Sequence, residues 1–205
     1  MAKVMQKTSL NLLDDLLKTK PVLYISSLSE NNIVNLSVYA NYMTIGKGRK
    51  ILVESQWYKE KNKLELKDTL VNARRNKWLV LNVPFKNLLS VMYKIAQSLP
   101  RSQSEAEIFN IKVDHLSLDH KQKFPYIKGA PVAIFCLLER EIVLKEIGSS
   151  LLILKPKELY MKTSLPKDPI DLKNLIATKA IHHYGNWLKG TVARGEILIR
   201  GFNKK

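Results

Sequence analysis

Hydrophobic positions fall in short strand-like runs through much of the chain and change to a helical period at intervals. Leu10, Leu13 and Leu17, with Leu12 and Leu16, recur at three- and four-residue spacing over Thr8–Lys18, behind Thr8 or Ser9 as N-cap. This predicts a short amphipathic helix. Val22-Leu23-Tyr24-Ile25 then leads through Ser26–Ser29 and the polar turn Glu30-Asn31-Asn32 into Ile33–Tyr42, rich in β-formers, which predicts a hairpin. A basic turn at Gly46–Lys50 precedes the strand-like Ile51–Trp57, and Tyr58–Leu66 is charged enough to be a solvated excursion. Asp68 caps a predicted helix over Thr69–Asn76 with Leu70, Val71 and Ala73 inward, and Trp78–Val83 is a strand closed by Pro84. A further helix is predicted over Leu88–Leu99, starting at Asn87, on the face Leu88, Leu89, Met92, Ile95 and Ala96.

Residues Arg101–Gly129 show little periodicity and read as a long covering loop with one turn of helix. Pro131–Leu138, Ile142–Ile147, Leu151–Leu154 and Leu159–Met161 read as consecutive strands, with a turn at Gly148-Ser149-Ser150. Asp168-Pro169-Ile170-Asp171 is a helix start, because Asp caps, Pro suits the first helical position and Asp171 complements the dipole. That helix is expected to reach about His183 and stop at Gly185, followed by a basic tail with an alternating segment, Glu196–Arg200. No repeat or linker divides the chain, so residues 1–205 read as one β-rich domain with peripheral helices, ending in a helix and basic tail from about 165.

Composition narrows this picture. Hydrophobic residues at 45% and charged residues at 25% exclude a disordered, collagenous or coiled-coil chain. The single cysteine, Cys136, lies in the apolar run Ala130–Leu138, which excludes a disulfide-stapled domain. No apolar stretch approaches the roughly 18 residues of a membrane-spanning helix, and Met1–Lys20 lacks the apolar centre of a signal peptide. A soluble cytoplasmic protein is therefore expected.

Thirty-four Lys and Arg against 18 Asp and Glu give a net charge of +16. Two blocks hold most of it: residues 67–101 carry seven cations against Asp68, and residues 155–205 carry eleven against four acids. Such blocks attract phosphate-bearing ligands and also nucleic acid, with Tyr184, Trp187 and Arg200 available for stacking. Solvated surface lysines account for the charge equally well.

The chain has no G-x-x-x-x-G-K-S/T, G-x-G-x-x-G, G-x-S-x-G or H-E-x-x-H motif. His115 with His120, and His182 with His183, lack the cysteine or carboxylate company of a metal site, and the second pair fits the last turn of a helix. Lys67-Asp68-Thr69-Leu70-Val71-Asn72 is more informative. A helix N-terminus offers free N–H groups and a positive dipole end, while Lys67 adds a cation and Thr69 a hydroxyl, the ingredients of a phosphate site. The alternative is that Asp68 and Thr69 simply cap a surface helix.

Pro21-Val22-Leu23-Tyr24-Ile25-Ser26-Ser27, Val34-Asn35-Leu36-Ser37-Val38-Tyr39-Ala40, Lys67–Asn72, Leu79-Val80-Leu81-Asn82-Val83 and Pro125–Ala133 with Cys136 stand in an order and spacing that resembles the flavin reductase-like family. These are FMN-binding split barrels, and the resemblance covers Pro21 to about Leu154. It implies a mainly β fold with peripheral helices: a six-stranded antiparallel split barrel of Greek-key type. It also implies a homodimer, FMN or FAD as cofactor, NADH or NADPH as electron donor, and a small-molecule acceptor.

On this resemblance the strand from Asn35 to Thr44 lines the flavin. Asn35, Ser37, Tyr39, Ala40 and Asn41 approach its phosphate and ring, Lys67 and Thr69 contact the phosphate, and Asp68 caps and orients the helix. No acid, base or nucleophile stands out, and hydride transfer to a flavin requires none.

Some positions depart from the family pattern. Ala40 stands where a serine is usual, Val38 replaces a frequent proline, Glu30-Asn31-Asn32 replaces Asp-Gly, and Gly46–Lys50 lacks the Asp-Pro-Pro before the next strand. Either Arg49 and Lys50 compensate by charge, or flavin binding is weakened or lost. The alternative function is a split barrel without redox activity that uses its basic surface for binding, with nucleic acid as partner.

Overall fold

The computed structural model describes residues 5–60, 63–118 and 122–182. The order is β1 (Met5–Thr8), α1 (Leu13–Lys18), β2 (Leu23–Leu28), β3 (Val34–Tyr39), β4 (Tyr42–Ile45), β5 (Lys50–Gln56), the short β6 (Tyr58–Glu60) and β7 (Lys63–Glu65), and α2 (Asp68–Asn76). There follow β8 (Trp78–Val83), α3 (Leu89–Ile95), α4 (Glu105–Ile108), β9 (Val113–Leu118), β10 (Gln122–Ile127), β11 (Val132–Leu144), β12 (Ser149–Lys162) and α5 (Pro169–Lys179).

One antiparallel sheet organises the molecule, in the order β3-β2-β8-β11-β12-β5-β4, with β1 added beside the second half of β12. Its end strands, β3 and β4, are consecutive in the chain and are joined by Ala40 and Asn41. The ladder is open at that seam. The mainly β split-barrel architecture is as expected, but six strands become an eight-stranded open sheet. Met5–Thr8, of which only Thr8 was assigned, as a candidate N-cap, is a strand, and the runs after Pro131 merge into the two long strands β11 and β12. Bulges between Phe135 and Cys136 and between Leu138 and Arg140 bend that pair.

The interior is filled from alternate strand positions, among them Leu23, Ile25, Leu79, Leu81, Ile134 and Leu154. Strands β2 and β8 are buried on both faces because further layers cover the outside of the sheet. One of these layers is a correction: residues 101–129 contain not only the expected helical turn, α4, but also the β9–β10 hairpin. The hairpin sets Phe124 against Phe135, ring centres 6.1 Å apart and nearly perpendicular, on the outer face of β11. Asn82 secures it by accepting from the Ile127 N–H at 3.0 Å, while the Ser26 hydroxyl donates to the Pro125 carbonyl at 2.6 Å. Cys136 is fully buried, and burial raises its thiol pKa.

Asp168 caps α5 as predicted, accepting from the Ile170 and Asp171 amides at 2.9 and 3.0 Å. The helix ends at Lys179, earlier than expected, because Ala180 turns extended and the chain then bridges Phe85 and Pro21. His182 Nε2 lies 3.2 Å from the Ile176 carbonyl, close to the predicted last-turn role. His120, His183, Tyr184, Gly185, Trp187 and the Glu196–Arg200 segment lie outside the described residues. Leu172 and Ile176 of α5 join Leu13, Leu16 and Leu17 of α1 in the main core. The expected helix over Leu88–Leu99 is shorter, a 3-10 turn at Lys86–Leu88 followed by α3. No described helix is long and apolar enough to cross a membrane.

Candidate functional site beside the seam

Asn35, Ser37 and Tyr39 alternate along β3 and so share one face. Asn35 and Tyr39 are buried and Ser37 is half-buried. The α2 start meets this face. Asn35 Nδ2 donates to Thr69 Oγ1 at 3.0 Å and to Ser27 Oγ at 3.2 Å, and Asn72 Nδ2 donates to the same Ser27 oxygen at 3.0 Å. The Tyr39 hydroxyl lies 3.3 Å from Ser55 Oγ. Burial raises the Tyr39 pKa; hydrogen bonds with Ser55 and Thr69 oppose the rise, and the Asp68 charge adds to it. Strand and helix are thus pinned together by a buried polar network whose members satisfy one another.

Lys67 stands at the mouth of this network, its ammonium 5.2 Å from the centre of the Tyr39 ring. Burial lowers its pKa, and the Glu54 charge opposes that effect. No described carboxylate lies within ion-pairing reach of Lys67. Lys67 also ends the extended approach to α2, and its carbonyl accepts from the Leu70 and Val71 amides at 2.9 and 3.1 Å. The Asp68 and Thr69 amides precede the first helical hydrogen bonds and have no intrahelical acceptor.

Asp68 is not the cap that was expected. Lys67 occupies the N-cap position without a side-chain cap bond, and Asp68 is the first helical residue, its carboxylate taken by Arg101 at 2.6 Å. Thr69 is fully buried beneath the helix start, accepting from Asn35. Ala40 and Asn41 form the seam: the Ala40 carbonyl accepts from the Tyr42 amide at 3.2 Å and the Asn41 carbonyl from the Glu54 amide at 2.9 Å. The exposed Asn41 side chain donates to Glu54 Oε2 at 3.0 Å. The fold therefore assembles Asn35, Tyr39, Lys67 and Thr69 as one cluster, with Asp68 beside it, Ser37 on the same strand face and Ala40–Asn41 following directly after Tyr39.

Several participants had no assigned role in the sequence reading. Ser27 and Asn72 sit inside quoted motifs, and their contribution is to hold Asn35. Ser55 and Glu54 come from β5, across the seam, and Arg101 from the stretch read as a covering loop. No local signal marks these three, because each reaches the site through tertiary packing.

The donor set suits a phosphate: a desolvated cation without a described carboxylate partner, next to two amides at the positive end of a helix. Neither a protein-family model nor a curated protein matches the chain by sequence. Solved structures do match by fold. An FMN-binding domain of a flavin reductases-like enzyme from Shewanella baltica superposes with a TM-score of 0.68 at 15% identity, over 93% of this chain and 94% of that one. Nitrilotriacetate monooxygenase component B from Bacillus cereus gives 0.67 at 20% identity, over 81% and 83%. An FMN-binding protein from Thermus thermophilus with bound p-hydroxybenzaldehyde gives 0.60 at 12% identity, over 83% of each chain. The chain has the split-barrel fold of flavin reductase-like, FMN-binding proteins.

Proposed function

We propose that this protein is a flavin-dependent oxidoreductase of the flavin reductase-like type. It binds FMN, accepts electrons from NADH or NADPH and passes them to a small acceptor. The observation that carries this reading is Lys67, desolvated and without a described carboxylate partner at the start of α2, beside the seam of a split barrel. The proteins that share the fold support the same class, since they include a flavin reductases-like enzyme, an FMN-binding protein and a monooxygenase component.

Lys67 and the first α2 amides hold the phosphate, while Tyr39 fixes the ammonium in place. Asn35 and Thr69 set the position of the helix start relative to β3. The backbone of Ala40 and Asn41, reached directly from Tyr39, lines the flavin side of the site, and Ser37 faces it from the strand. The flavin, when bound, supplies the redox chemistry, which is why no acid, base or nucleophile is needed among these residues. We propose also that the protein works as a homodimer in the cytoplasm.

A visible absorption spectrum of the purified protein, taken before and after incubation with excess FMN and desalting, tests the reading, followed by a fluorescence titration. Flavin bands retained by the wild type and lost on combined Lys67→Ala and Thr69→Ala substitution are expected. A wild type that fails to bind FMN even in the titration overturns the proposal.

A further inference from the structure

The stretch between α3 and β9 touches both elements that carry the candidate site. Arg101 donates from Nε to Asp68 Oδ1 at 2.6 Å and from Nη2 to the Leu66 carbonyl at 3.1 Å. Ser104 donates its hydroxyl to the Val34 carbonyl at 2.8 Å, and Glu105 Oε2 accepts from the Leu36 amide at 3.0 Å. The stretch is thus anchored on β3 and delivers its own cation to the residues on either side of Lys67.

Asp68 is what makes that cation necessary. A carboxylate in a first helical turn favours the helix taken alone. Beside an anionic ligand using the same amides, it is a like charge, and at close range in a partly buried site such repulsion is substantial. The Asp68 charge is felt at both Tyr39 and Glu105, so it reaches across the cluster. The Asp68 side chain is only 21% exposed and that of Arg101 is 50% exposed, so the carboxylate is the more buried partner of the pair.

We propose that Arg101 is a charge-compensating positioning residue: by pairing with Asp68 it cancels the carboxylate at the start of α2 and so allows Lys67 and the first amides to accept a phosphate. This rests on the reading of the site given above. The compensation acts on the ligand's phosphate and not on its ring, so it distinguishes FMN from riboflavin. It also makes Asp68 the cause of the defect that follows when Arg101 is removed.

The test titrates FMN and riboflavin, followed by flavin fluorescence, against the wild type, Arg101→Ala, Asp68→Asn and the double variant, with circular dichroism to establish folding. Arg101→Ala is expected to bind FMN about tenfold more weakly while riboflavin binding stays within about twofold. The double variant is expected to regain most of the wild-type FMN affinity, because the repelling charge has gone with its partner. Added salt narrows the gap between Arg101→Ala and wild type, since half-exposed charges are screened. Arg101→Gln, which keeps a donor for the Leu66 carbonyl, serves if the alanine variant does not fold.

Equal FMN affinity in wild type and Arg101→Ala overturns the proposal. So does a double variant as weak as Arg101→Ala, which would mean that Arg101 contacts the phosphate itself. A wild type that binds neither flavin overturns the reading of the site, and this proposal with it.

Discussion

The Lys67 ammonium rests 5.2 Å from the centre of the Tyr39 ring, so a desolvated lysine is held by an aromatic face and by no described carboxylate. An aromatic face attracts a cation without neutralising it. The charge stays available to an anion, and the price of keeping it is a lowered pKa.

FMN binding is therefore expected to weaken with rising pH sooner than an ordinary lysine would dictate. The sign follows from the direction of the shift: burial lowers the Lys67 pKa in the free protein, a bound phosphate favours the protonated form, and above the lowered value binding must recruit a proton. Titrations between about pH 7 and 10, below the ordinary lysine value near 10.4, read this slope. Lys67→Arg, which stays charged throughout, is expected to flatten it. A slope unchanged in that variant assigns the titration to another group.

Asn35 connects Ser27 and Thr69 from a site 6% exposed. Asn35→Leu removes one of the partners of each hydroxyl, leaving Asn72 on Ser27, and is expected to destabilise the protein by about 1 kcal/mol. Urea unfolding measures the loss, and FMN affinity falls with it because the helix start loses its tie to β3.

How far the sequence reveals such ties depends on their range. The β2–β3 hairpin, the strand Trp78–Val83 and the Asp168 cap were legible because alternation, turn residues and capping act over a few neighbouring positions. The β9–β10 hairpin was not. Pro125 breaks the strand pattern of its second half, Asp114 and His115 make the first half polar, and the burial of Phe124 and Tyr126 depends on the outer face of β8 and β11. Lys67 and Thr69 could be placed at a helix start from their motif. That Asp68 lies inside the first turn and answers to Arg101, 33 residues away, is a tertiary fact.

The Asp168 cap offers a local control. Asp168→Ala removes an acceptor from the Ile170 and Asp171 amides and is expected to cost about 1 kcal/mol, read as a lowered melting temperature. FMN affinity is expected to stay unchanged, since the Asp168 carboxylate bonds only the first amides of α5 and that helix packs chiefly on α1.

Glu105 predicts a pH-dependent stability. Burial raises its folded pKa above the ordinary value near 4.3, with the Leu36 amide opposing the rise and the Asp68 charge adding to it. The native state then binds more protons than the unfolded state, so the stability this group contributes is present below about pH 4.3 and is lost as pH rises through its folded pKa. Melting temperatures of wild type and Glu105→Gln across this range are expected to diverge with rising pH, in favour of the glutamine. Parallel curves would show that the carboxylate does not titrate there.

The open seam leaves β3 as an edge, with the Val34 carbonyl and Leu36 amide turned away from β2. An edge of this kind is a template for another chain's strand. Here Ser104 and Glu105 already occupy both groups, imitating with side chains the partner that a neighbouring strand would supply. The strap that positions Arg101 thereby also covers part of the sheet edge, so the strand that carries Asn35 and Tyr39 offers fewer open backbone groups than its place in the sheet would leave it.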